Sequence, residues 1–142
     1  MRLSESFTLE ELTRSVTAKN KGINNYPNNT QLINLRRLAV EVLQPLRNAY
    51  GKPIVVTSGL RVPKLNRLVG GAVNSQHQYG EAADITSVSD SPEDNKVLFD
   101  LAEKLVRTGK IKVGQLIDEY GYNWVHISLP TSKFSDEILH IK

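Results

Sequence analysis

The 142-residue chain has no cysteine. That absence excludes disulfide staples, thiol nucleophiles and cysteine-ligated zinc, and leaves the redox compartment open. Aromatic residues make up 6% of the chain, and no aromatic-basic stripe or reading helix is present, so nucleic acid is not the expected partner. No stretch approaches the roughly 20 apolar residues that span a bilayer, so no transmembrane segment is expected. An excess of one charge is also lacking. Eighteen Lys+Arg against fifteen Asp+Glu leave +3, without a charge run. The pI of 9.2 suits an anionic polymer such as a cell wall as well as it suits nucleic acid. The N-terminus, MRLSESFTLEEL, has neither an apolar run nor a small-residue cleavage site, so synthesis in the cytoplasm without a signal peptide is expected.

What is present points to one compact domain covering residues 1–142, at 39% hydrophobic and 23% charged. A chain of this length removes roughly two-thirds of its unfolded surface from water. Its core needs no metal staple, so any metal should serve chemistry.

Thr8 with Glu11 forms a capping box before a short helix, with Phe7 placed as a hydrophobic staple on Leu12. Lys19 to Asn29 is polar, contains Gly22 and Pro27, and reads as a loop. From Thr30, the apolar positions Leu32, Leu35, Leu38, Ala39, Val42, Leu43 and Leu46 keep helical spacing up to Gly51, a left-handed cap; Pro45 should kink this helix. Ile54 to Thr57 reads as a strand, Pro63 to Val69 as a short helix, and Ser91-Pro92 as the start of a helix carrying Val97, Leu98, Leu101, Leu105 and Val106. Gly114 to Tyr120 and Asn123 to Leu129 read as strands, with Glu137 to Ile141 a possible third.

Of the three histidines, His77 lies in Asn74-Ser75-Gln76-His77-Gln78-Tyr79-Gly80-Glu81-Ala82-Ala83-Asp84, a run of turn formers and small residues too polar for a core segment. His126 lies in Trp124-Val125-His126-Ile127-Ser128, where Val125 and Ile127 take one face and Trp124, His126 and Ser128 the other. A two-residue Gly121-Tyr122 loop of type II′ pairs Tyr120 with Asn123, Glu119 with Trp124 and Ile117 with His126. Glu119 then shares a face with His126, diagonal to it at roughly 7–8 Å, and Asp118 points away. A three-residue loop brings in Asp118 instead.

His77, Asp84, His126 and Glu119 are the residue types a metal peptidase needs: three ligands that leave the ion net positive, and a carboxylate to take a water's proton. Each also has an ordinary reading. A lone histidine serves as a surface or capping residue, an aspartate near a strand end as a turn former, a glutamate as a solvated charge. Arg61 is a surface cation or an oxyanion clamp, Ser75 a turn cap or a substrate contact, and Trp124 packing beside the site. His140, in Ile138-Leu139-His140-Ile141, reads as structural or solvent-facing.

Ser75-x-His77-x-x-Gly80-x-Ala82-Ala83-Asp84 resembles the SxHxxGxAxD signature of the zinc D-alanyl-D-alanine carboxypeptidase family. Ser58-Gly59-Leu60-Arg61 is similar to that family's SGYR segment, with Leu60 in place of the aromatic. Gln115-Leu116-Ile117, Glu119 and Trp124 to Ser128 are similar to its QLI and WVHIS segments. The resemblance runs from about Phe7 to the C-terminus and is nearest the compact bacterial and phage branch, whose fold is shared with hedgehog signalling domains. It implies one Zn2+ per chain on His77, Asp84 and His126, Glu119 as catalytic base, and Arg61 and Ser75 as substrate contacts, Arg61 also stabilising charge. Many relatives place the base three residues before the last histidine, where Asn123 stands here.

The implied fold is α+β, with helices packed around a small, mainly antiparallel sheet. The implied function is zinc-dependent cleavage of the peptide stems of bacterial cell wall, D-Ala-D-Ala carboxypeptidase-like, by a monomer of host, phage or prophage origin that reaches the wall through release or export. Stem-peptide endopeptidase action, as in phage lysins, and a non-catalytic zinc-containing wall-binding module are the alternatives.

Overall fold

The computed structural model describes residues 1–142, and its first element bears out the capping box. Thr8 caps α1, Leu9–Thr13, its side chain accepting from the Glu11 N–H while Glu11 reaches back to the Thr8 N–H. Phe7 and Leu12 are both fully buried, as a staple requires. Ser15 then caps α2, Val16–Asn20. This turn of helix was not expected, and the loop begins only at Lys21.

The long helix starts at α3, Asn29–Leu38, passes through a π-helical turn, Ala39–Leu43, and continues as α4, Gln44–Tyr50. Pro45 accounts for the interruption. It has no N–H to offer the carbonyl four residues back, and the backbone widens before it, so that Gln44 N–H reaches Ala39 C=O. The expected kink is thus a π-turn, and Gly51 closes α4 with φ 74°.

Five strands form one sheet: β1, Ile54–Ser58; β2, Ala82–Ser87; β3, Gln115–Glu119; β4, Trp124–Ser128; β5, Glu137–Ile141. Their order is β1-β2-β4-β3-β5, antiparallel throughout except for the parallel β3–β5 pair. The α+β, mainly antiparallel expectation holds. Sequence reading did not anticipate β2, because Ala-Ala-Asp has little strand propensity. All six of its residues are buried, and its place between β1 and β4 supplies the pairing that propensity does not. α5, Pro63–Leu68, crosses between β1 and β2 in the chain, and α6, Pro92–Arg107, capped by Ser91, packs on one face of the sheet.

That packing decides which side of the sheet is available for chemistry. Leu98, Phe99, Ala102 and Val106 of α6 join Ala83, Ile85, Leu116, Val125 and Ile127 in one hydrophobic cluster reaching from Leu3 to Leu129. By strand alternation, Asp84, Ile117, Glu119, Trp124 and His126 lie on the other face.

Candidate metal centre and active site

The register of three adjacent strands brings the polar residues together. Asp84 of β2 stands opposite His126 of β4, Ile117 of β3 stands opposite His126 on its other side, and Glu119 pairs with Trp124. The expected register is therefore present, although its expected turn is not. Tyr120 and Asn123 do not pair as strand residues. Instead Asn123 N–H closes on Glu119 C=O at 3.0 Å, and Tyr120, Gly121 and Tyr122 all have positive φ. A type II′ turn needs positive φ only at its first central residue. Tyr120 N–H bonds instead to Ile141 C=O, which ties the loop to β5.

His77 arrives from a single 3₁₀ turn, Gln76–Tyr79. Ser75 Oγ accepts from the His77 N–H, and the turn ends at Gly80, whose φ of 73° and close approach to Gln31 C=O leave no room for a side chain. The imidazole is buried, with Nδ1 2.7 Å from Gly59 C=O. A carbonyl can only accept, so Nδ1 carries the proton and Nε2 presents a lone pair. That lone pair faces Asp84 Oδ1 at 3.2 Å, and His126 Nδ1 lies 3.1 Å from the same oxygen.

An imidazole lone pair aimed at a carboxylate oxygen leaves two acceptors facing each other, an arrangement that calls for a cation. One ligand atom from each of His77, Asp84 and His126 lies within 4.8 Å of the others. Ligands about 2.0–2.1 Å from a tetrahedral ion lie about 3.4 Å apart, close to the spacings seen here. Burial raises the Asp84 carboxyl pKa; with both rings protonated, the charges and hydrogen bonds of His77 and His126 outweigh it and hold the group well below the usual carboxylate range, and with the rings neutral a bound cation would supply that positive charge. Two nitrogens and one carboxylate, open to a cleft, are the donor set of a catalytic zinc, and the residues present fit the ion.

The cleft beside this cluster has a volume of about 680 Å³, and Arg61, Ser75, Glu119 and Trp124 line it together with Lys133 and Phe134. Arg61 is held by its backbone, whose N–H donates to His77 C=O at 2.9 Å, and its Nη2 lies 3.4 Å from Ser75 Oγ. Its Nε is buried without a partner. Burial pulls the guanidinium pKa down, while the charges of Asp84 and Glu119 oppose that shift.

Two features were not read from the sequence. Trp124 does more than pack, since its indole Nε1–H donates to Glu119 Oε2 while its ring meets Tyr120 edge-on at 5.3 Å. The Gly59 carbonyl sets the His77 tautomer. Its signal was present in Ser58-Gly59, two residues before Arg61. Asp118 lies on the opposite face, buried against His140 Nδ1, and the His140 ring tilts on Phe99 at 5.3 Å. His140 is both structural and solvent-facing: it contacts Asp118 and Phe99 while its side chain stays exposed.

Fold and site together define a metallopeptidase: three donors that fit a zinc ion on the open face of a sheet, with a carboxylate and a guanidinium across the cleft. The Peptidase M15 family model matches residues 5–128, and the chain belongs to that family. A stretch of 44 residues is 54% identical to the zinc D-Ala-D-Ala carboxypeptidase of Streptomyces albus G, covering 30% of this chain and 17% of that protein's length.

Proposed function

We propose that the chain, as a single domain and a monomer, hydrolyses a peptide bond in the stem peptides of bacterial cell wall, at a terminal D-Ala-D-Ala unit. The observation that carries this reading is the convergence of His77, Asp84 and His126 at 3.1–3.2 Å spacings in a cleft that also holds Glu119 and Arg61. The partial match to a protein named for that bond supports the choice of substrate.

Zn2+ held by His77, Asp84 and His126 would supply Lewis acidity toward the scissile carbonyl and the attacking water. Glu119 takes the proton of that water on Oε1, because Oε2 is engaged by the Trp124 N–H. The same carboxyl then returns the proton to the leaving amine. Arg61 holds negative charge, either the developing oxyanion or the substrate's terminal carboxylate, with Ser75 Oγ fixing the direction of its Nη2.

The test is mass spectrometry of a stem peptide ending in D-Ala-D-Ala, and of its C-terminal amide, after incubation with zinc-loaded protein. Loss of one alanine from the free acid only supports the carboxypeptidase. Equal cleavage of both, or cleavage inside the stem, means an endopeptidase, and no cleavage means a zinc-containing wall-binding module.

A further inference from the structure

The charges of this chain balance to +3 only in the sum. Between Leu12 and Gly80 stand ten Lys or Arg residues and one acid, Glu41, while the other fourteen acids lie outside that stretch. Glu41 pairs with Arg37 at 3.1 Å, and none of the other nine cations forms an ion pair. Where a fold brings such cations to one surface, that surface attracts polyanions more strongly than the net charge suggests.

The fold gathers part of this charge beside the active site. Arg61 and Val69 line the catalytic cleft and also a second cleft of about 330 Å³. The second is walled by Arg14 and by the hydroxyl-bearing Ser15, Thr17, Thr57 and Ser58, and no acidic side chain faces it. On the flank of α5, Lys64 and Arg67 stand three residues apart on one helical face and line a further hollow with Ile23 and Leu68. The loop bearing Ile23 is tied to this region through Asn25, which bonds Thr13 C=O, Leu60 C=O and Val62 N–H at 2.8–3.0 Å. Arg14, Lys64 and Arg67 are exposed.

We propose that this face docks a phosphodiester-bearing anionic polymer of the bacterial wall, holding it next to the catalytic cleft. The Arg14 and Arg61 guanidiniums among the hydroxyl donors of the second cleft, with the added cations Lys64 and Arg67 on the flank of α5, match a phosphate's charge and its several acceptor oxygens. Continuity with the catalytic cleft through Arg61 and Val69 favours a wall polymer, and in this the inference rests on the wall reading above. No aromatic residue lines either hollow, so a base-stacking platform for single-stranded nucleic acid is missing.

The experiment is co-sedimentation of the zinc-loaded full chain with purified walls, either intact or acid-stripped of phosphodiester polymer, at low and high salt. The chain should bind intact walls in a salt-sensitive way and stripped walls weakly. Lys64→Glu with Arg67→Glu should weaken binding to intact walls roughly tenfold or more. Lys104→Glu with Lys110→Glu, an equal charge change outside the basic stretch, should leave that binding unchanged. Both double variants should cleave a short soluble stem peptide like wild type, which separates this inference from the hydrolytic reading. If no stem peptide is cleaved while polymer binding persists, only the hydrolytic reading fails. Equal binding to stripped walls, equal loss in the two double variants, or tighter binding to duplex DNA at matched phosphate concentration would overturn the docking surface.

Discussion

The indole N–H of Trp124 donates to Glu119 Oε2 across a directly paired position of β4 and β3, so one carboxylate oxygen is held while the other is left for chemistry. Trp124→Phe keeps a ring against Tyr120 but removes the donor. A hydrogen bond to a charged group contributes about 1.5–3 kcal/mol, so kcat should fall about tenfold or more, with KM and zinc content near wild type. Trp124 is the only tryptophan, so one indole N–H resonance reports this contact. It should move in Glu119→Gln even without metal; an unmoved resonance would mean the contact is absent in solution.

Glu119→Gln should retain zinc and fold while losing about 10²–10⁴-fold in hydrolysis, the usual contribution of a general base. Asp118→Asn should leave turnover near wild type, since Asp118 lies on the helix-packed face against His140. Steady-state kinetics of the pair decides the assignment: loss in Asp118→Asn with an active Glu119→Gln would transfer the role.

Elemental analysis should find one zinc per chain, and none after His77→Ala or His126→Ala, because two remaining ligands hold the ion weakly. Chelation should abolish hydrolysis, and zinc should restore it. Retention of zinc by both variants would displace the proposed ligand set.

Arg61→Lys should lower kcat/KM strongly with zinc retained, because an ammonium cannot reproduce the forked geometry of a guanidinium. If the clamp acts on a terminal carboxylate, the loss should be larger on the free-acid peptide than on its amide. Equal losses on both would place Arg61 at the oxyanion instead.

Gly59→Ala tests the support of the metal centre. A Cβ there would sit 2.2 Å from Leu12 C=O, whose carbonyl also accepts the Leu60 N–H at 2.8 Å, so the backbone has to shift. The variant should lose about 2 kcal/mol or more in chemical denaturation and bind zinc more weakly, as the Gly59 carbonyl that orients His77 moves away. Wild-type zinc affinity would show that the tautomer is held by other means.

Local chemistry made several parts of this protein legible without coordinates. The Thr8/Glu11 box, the Ser91-Pro92 start and the Gly51 cap each involve groups a few residues apart, so neighbours in sequence suffice to define them. The alternation of Trp124 to Ser128 likewise separates a core face from a site face in the sequence itself. The proposed zinc ligands His77, Asp84 and His126 rest on motif resemblance, since their spacing alone leaves ordinary readings open.

Other features depend on groups distant in the chain. β2 is a strand because β1 and β4 bond it on both sides, not because Ala82-Ala83-Asp84 favours one. The tautomer of His77 is set by a carbonyl eighteen residues earlier, and the face that Glu119 rather than Asp118 shares with His126 by which side of the sheet α6 covers. Composition and local propensity are properties of the chain, whereas the position of a lone pair, a proton or a buried charge follows from packing, and only the tertiary structure supplies that.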